Sequence, residues 1–168
     1  CHANGVDMGA IAVMHIRESM AAWSKGDYMG AYWALFWRRE QCRCKVGRDI
    51  LGFILNRTAR RHGGYIGAGA AFGGEPLLPH GLHGVYISRY AKIGAGCRIY
   101  QNVTIGEIGG KAPQVGSHCL IGAGAILVGG IKIGDHVKIG AGAVVNTDIP
   151  SHATVVAQPA RVIVREGK

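Results

Sequence analysis

From Ile87 onward an aliphatic residue stands at every sixth position: Ile87, Ile93, Ile99 and Ile105, then, after a slip of four residues, Val115, Ile121, Leu127, Ile133, Ile139 and Val145. Four residues beyond each beat lies a mostly small or β-branched residue: Ala91, Cys97, Val103, Cys119, Ala125, Ile131, Val137, Ala143 and Ile149. Glycine follows the aliphatic position at Gly94, Gly106, Gly116, Gly122, Gly134 and Gly140. Helices repeat every 3.6 residues and strands every two, so a period of six belongs to neither alone. A unit this short cannot bury its own core and must stack on its neighbours, as in a solenoid. Each hexad therefore reads as one short strand and one corner, and three hexads close a triangular coil. The expected fold is mainly β: a parallel β-helix with the aliphatic residue inside and the small residue also pointing in. Gly-rich linkers lack such a phased ladder.

The beat extends upstream through Ile66, Phe72 and Leu78. Leu78 to Ile87 is three residues too long, and the slip at Glu107 to Gln114 adds four. Chain that leaves a rigid scaffold is a common place for function.

Ahead of the repeat, residues 8–24 are rich in Ala, Met and Ile and favour a helix. Asp27 can cap a second helix running to about Arg43. A third is expected from about Arg48 to Arg61, with Ile50, Leu51, Ile54 and Leu55 at helical spacing. The division is an N-terminal helical segment over 1–63 and a β-helix domain with a short C-terminal tail over 64–168. Two readings of the helices stand together. They cover the open edge of the first coil, or their arginines and aromatics contact a membrane surface.

Composition sharpens this picture. Glycine contributes 28 of 168 residues, an excess that the repeat explains, and the formal charge of +9 points to anionic partners. No known nucleic-acid recognition module is present, and no run reaches the ~18 to 20 apolar residues of a membrane span. Cys97 and Cys119 occupy inward positions, and Cys42 and Cys44 form an isolated C-x-C without a second pair. No metal site is expected from these, and a reducing cytoplasm suits free thiols.

Among eight histidines, His118 and His136 lie one coil apart and should stack outward. His152 falls past the last clear hexad. His80 and His83 flank the first insertion, where an imidazole can face a neighbouring subunit and accept a proton near neutral pH.

The stretches Pro79-His-Gly-Leu-His-Gly-Val-Tyr-Ile-Ser88, Gln101-Asn-Val-Thr-Ile-Gly106, Ile121-Gly-Ala-Gly-Ala125 and Gln158-Pro-Ala-Arg161 resemble the hexapeptide-repeat acyltransferases with a left-handed parallel β-helix, serine acetyltransferase type. The resemblance covers about residues 64–163. It implies acetyl transfer from acetyl-CoA to a hydroxyl, with His80 as general base and His83 as the alternative. It also implies a homotrimer whose sites lie between prisms. The pantetheine arm would run near Gly122, Ala123, Gly124 and Ala125 and near Gly140 and Ala141, with Arg161 meeting CoA phosphates. The insertion carrying Glu107 and Lys111 would reach toward the adjoining subunit. Three departures from the serine acetyltransferase pattern stand out. Pro79 replaces the acid before the His, Lys111-Ala112 replaces an Arg-His pair, and Tyr65 stands where an orienting acid is expected, with Glu75 as a possible substitute. These resemble relatives that acetylate capsular or exopolysaccharide sugars, so the acceptor is a saccharide hydroxyl or L-serine. A γ-carbonic-anhydrase-like metalloenzyme and a non-catalytic scaffold are the competing classes.

Overall fold

The computed structural model describes residues 29–158. The helix expected over 8–24, the capping Asp27, His2, His15 and Arg161 lie outside the described residues.

Helix α1 spans Gly30–Gln41 and α2 spans Lys45–Arg61. Both carry arginines in the last turn, Arg38 and Arg39 in α1 and Arg60 and Arg61 in α2, where cations complement the exposed carbonyls. Helix α1 stops two residues short of the expected end, and α2 begins three residues before it. Helix α1 buries Tyr32, Trp33 and Phe36. The Trp33 and Phe36 rings sit edge-on to Phe72 at 5.3 and 5.4 Å, a geometry aromatic pairs favour. Phe72 is the aliphatic-position residue of the first coil, so the helix covers the open end of the solenoid. The Trp37 indole donates to the Glu75 carboxylate at 3.1 Å and ties the same two parts together. On α2, Val46, Ile50, Phe53 and Ile54 are exposed among Arg48, Arg57 and Arg60. No helix among the described residues is long and apolar enough to cross a membrane.

Thirteen short strands wind into three parallel sheets. Sheet one holds β1 (Tyr65–Ile66), β3 (Tyr86–Ile87), β6 (Thr104–Gly106), β9 (Ile126–Val128) and β12 (Val144–Val145). Sheet two holds β2 (Ala71–Phe72), β4 (Lys92–Ile93), β7 (Gln114–Val115) and β10 (Lys132–Ile133). Sheet three holds β5 (Arg98–Ile99), β8 (Leu120–Ile121), β11 (Lys138–Ile139) and β13 (Thr154–Val155). Tyr86 pairs with Thr104, eighteen residues on. Tyr65 pairs with Tyr86, twenty-one on, and Thr104 with Ile126, twenty-two on. The two insertions of three and four residues are thus excursions that leave the register intact. Ile87, Ile99, Ile105, Ile121, Leu127 and Ile139 are fully buried, and Cys97, Val103, Ala125 and Val137 stand beside them.

The last coil departs from the even beat. Ile133 bridges to Ile149, and Ile139 pairs with Val155, each only sixteen residues on. Ile149 therefore takes the inward aliphatic position, not the small-residue position that uniform hexads assign to it. The turn over 146–148 is two residues tighter, and Asp148 braces it by accepting the Lys132 N–H at 2.7 Å.

The outward columns of the sheets differ in kind. Sheet one presents Tyr65, Tyr86, Thr104, Ile126 and Val144, with Tyr65 and Tyr86 stacked at 5.1 Å. Sheet two presents Ala71, Lys92, Gln114 and Lys132, and sheet three Arg98, Leu120, Lys138 and Thr154.

Candidate active site

The first insertion forms the corner between sheets three and one. Leu78, Leu82 and Val85 are buried at 7, 0 and 0% exposure. They pin the bend from inside, so the residues between them must point outward. Gly81 and Gly84 adopt φ of +58° and +66°. A side chain at Gly84 would strike the Asn102 amide oxygen, so glycine is required there sterically as well as conformationally.

The two histidines of the bend differ in their surroundings. His83 is half-buried; its Nδ1 donates to the His80 carbonyl at 2.7 Å, and its ring lies edge-on to His62 at 5.3 Å. A carbonyl can only accept, so this contact fixes the proton on Nδ1. The His83 carbonyl in turn accepts the Asn102 N–H at 2.9 Å. His80 is exposed, with its ring 6.1 Å from Tyr100. His83 thus braces the bend and His80 is presented to the outside. Tyr100 and Asn102, which sequence reasoning did not single out, share this corner.

Along the same corner, the following coils place Gly124 and Gly142, both at φ +68° and both with open space where a side chain would stand. Ala123 and Ala141 precede them. Asn102 holds the equivalent left-handed position at φ +58°. Below the histidine bend the corner is therefore bare backbone at Gly124 and Gly142. Gly122 and Gly140 serve a different purpose. A side chain on Gly122 would collide with Ala141 N, and one on Gly140 would crowd the Val155 carbonyl at 3.1 Å. Ala125 is fully buried. These three residues serve coil stacking.

The second insertion lies at the opposite end of sheet one, at its corner with sheet two. It is a miniature hairpin. Ile108 and Lys111 exchange both backbone hydrogen bonds, at 2.9 and 3.1 Å, around Gly109 and Gly110 at φ +59° and +76°. Positive φ at both central residues is the turn that matches strand twist, and Gly-Gly is a signal for it. Ile108 is 63% exposed at the tip. Glu107, at the base, accepts a hydrogen bond from Ser88. Within one chain the hairpin and the histidine bend occupy different corners.

Glu75 lies between sheets two and three, and its carboxylate is engaged by Trp37. At that corner His118, His136 and His152 form a continuous outward stack, with rings 5.0 and 5.1 Å apart and nearly parallel. His152 joins because the shortened last coil lands it on His136. Among the described residues no cluster of three or more potential ligands could hold a metal ion.

A family model, bacterial transferase hexapeptide (six repeats), matches residues 112–147. A serine acetyltransferase of Staphylococcus xylosus is 36% identical over 129 residues, covering 74% of this chain and 59% of that protein. One from Synechococcus elongatus is 44% identical over 103 residues, covering 59% of this chain and 42% of that protein. Among solved structures, the serine acetyltransferase of Brucella abortus superposes with a TM-score of 0.64 at 30% identity, covering 81% of this chain and 55% of that one. The Neisseria gonorrhoeae serine acetyltransferase in complex with serine gives 0.61 at 36% identity, covering 69% and 49%. The stacked hexads and the matched repeat make the chain similar to the hexapeptide-repeat transferases. The relatives it most resembles among these are serine acetyltransferases. It spans about half the length of the relatives it matches.

Proposed function

We propose that this chain is an acetyl-CoA-dependent O-acetyltransferase that works as a homotrimer, with His80 as general base. The observation that carries this reading is the exposed His80 at the only outward bend between sheets three and one among the described coils, above the bare corner at Gly124 and Gly142. In this reading the pantetheine arm of acetyl-CoA lies along that corner. His80 takes the proton of the acceptor hydroxyl as its oxygen attacks the thioester carbonyl. The C–O bond forms, the C–S bond breaks, and the proton passes to the departing CoA sulfur. Holding both reactants at attack distance supplies much of such a rate.

The trimer reading is supported by the contrast between sheet faces. Sheet one is apolar outside, whereas the other two present cations. If sheet one faces a common threefold axis, the hairpin corner of one protomer meets the histidine corner of the next. Glu107, Ile108 and Lys111 then close the site from the neighbouring chain. Pro79 and Tyr65, standing where the serine enzymes carry acids, favour a saccharide hydroxyl over L-serine as acceptor.

An acceptor screen with acetyl-CoA, reading free thiol release against serine and a saccharide panel, tests the reaction. His80→Ala should lower turnover by a factor on the order of 10² or more with the trimer intact. His83→Ala should act mainly through stability. Full activity in His80→Ala, with loss in His83→Ala, would reverse the assignment. No CoA binding at all would remove the enzyme reading.

A further inference from the structure

Sheet two carries a groove of about 510 Å³ that crosses all four of its strands. Neighbouring strands are about 4.8 Å apart, so the groove extends roughly 14 Å along the solenoid axis. Its rim holds Lys92, Gln114 and Lys132. Its floor includes the peptide planes of Gly73, Gly94 and Gly116, where a side chain would collide with the backbone of the next coil. No carboxylate lines it. Two acids beside it accept backbone N–H groups: Asp135 from Ser117 at 2.6 Å, and Asp148 from Lys132 at 2.7 Å. Beyond the floor glycines runs the stack of His118, His136 and His152, another column of ring faces and N–H donors.

We propose that this groove binds a linear acidic saccharide, as the extended part of the acceptor chain. Three features favour that occupant. The site is open and elongated and follows the coil axis, which suits an extended polymer. Lys92 and Lys132 recur along it, which suits a carboxylate at intervals. The Gln114 amide offers hydrogen bonds to ring hydroxyls, and the adjoining apolar area suits the C–H faces of sugars. Stacked DNA bases would call for a row of aromatic platforms, whereas Phe72 is the one aromatic lining this groove, and its ring packs on Trp33 and Phe36. The inference deepens the proposed acetyl transfer and rests on it in one respect. In a trimer with sheet one inward, sheet two of one protomer leads away from the histidine bend of its neighbour, so a polymer acetylated at that bend can lie along it.

The test is calorimetric titration of the full chain with a galacturonate hexamer, with neutral maltohexaose and a single-stranded DNA hexamer alongside, and a parallel CoA thermal-shift titration. The galacturonate hexamer should bind, the neutral chain at least tenfold more weakly, and the double variant Lys92→Gln/Lys132→Gln should lose at least tenfold in affinity while its CoA shift stays unchanged. Equal binding of the DNA and the acidic glycan would overturn the proposal in favour of a nonspecific cationic face. Binding that survives the double variant would also overturn it. Binding of CoA without the glycan would sink the groove alone. Binding of the glycan without CoA would keep the groove and remove the transferase reading.

Discussion

The Ser88 hydroxyl donates a 2.5 Å hydrogen bond to the carboxylate of Glu107, nineteen residues away, and accepts one from the Tyr90 N–H at 3.2 Å. Ser88 is the one buried polar side chain among the described residues, at 3% exposure. Its bond fixes the base of the hairpin whose tip is the exposed Ile108. A hydrogen bond to a charged group contributes about 1.5–3 kcal/mol, toward the lower end here because Glu107 is exposed. Ser88→Ala should therefore lower stability by about 1.5 kcal/mol and cut turnover by about tenfold through a misplaced hairpin. Ser88→Thr should restore part of the turnover. Unchanged turnover in the alanine variant would show that hairpin position does not govern the reaction.

Ile108 tests the arrangement between protomers. In the proposed trimer the exposed Ile108 side chain is covered by the neighbouring protomer. Ile108→Glu should weaken the trimer, seen as a shift toward monomer in sedimentation velocity at micromolar concentration, and turnover should fall in parallel. A monomeric wild-type chain with full activity would contradict the intersubunit site.

The histidine stack gives a stability prediction with a sign. His118, His136 and His152 adopt φ of +57°, +56° and +64°, a conformation that costs most L-residues about 1–2 kcal/mol and costs Asn and Gly less. His136→Asn should leave the melting temperature within a few degrees of wild type. His136→Val should destabilise by about 2 kcal/mol, because a β-branched residue is a poor fit at positive φ and the stacking on both sides is lost. Equal destabilisation by the two variants would mean that the stack, not the backbone, dominates.

Much of this was legible in the residues alone. The aliphatic beat gave the coil, the two excess lengths gave the insertions, and Leu82 within Pro79-His-Gly-Leu-His83 marks a bend anchored inward between two outward histidines. What escaped the pattern has identifiable causes. The two-residue shortening near Asp148 is hidden because Ile149 is apolar and fits either inward position. Only pairing with Ile133 distinguishes them, and His152 could not be placed until it did. Ser88 was invisible because its partner Glu107 lies one coil away, at the residue where the chain leaves the regular path. The Gly109-Gly110 pair was a readable hairpin signal. Glu75 was a reasonable orienting acid from sequence, but its engagement with Trp37 depends on where the helical cap docks, which no repeat pattern encodes.

The thiols report on whether the prism is closed as described. Cys97 and Cys119 are buried at 0 and 1% exposure, whereas Cys42 is half-buried and Cys44 exposed in the linker between helices. Hydrogen bonding with the neighbouring Cys119 and then burial push the Cys97 thiol well above its ordinary pKa. A raised pKa leaves less thiolate at neutral pH, and thiolate is the reactive form, so chemistry and access both protect Cys97. Alkylation with iodoacetamide at pH 7.5, followed by peptide mapping, should label Cys44 fastest and Cys42 next. Cys97 and Cys119 should react only on the timescale of unfolding, and their labelling should accelerate sharply in denaturant. The Phe72→Ala variant sharpens the test. It removes the ring on which Trp33 and Phe36 pack, which should cost about 3–5 kcal/mol at a buried aromatic and less at this half-buried one. If the helical cap and the coils unfold as one unit, labelling of Cys97 should rise with the loss of the cap. Rapid labelling of Cys97 in the native wild-type chain would contradict a closed interior at that coil.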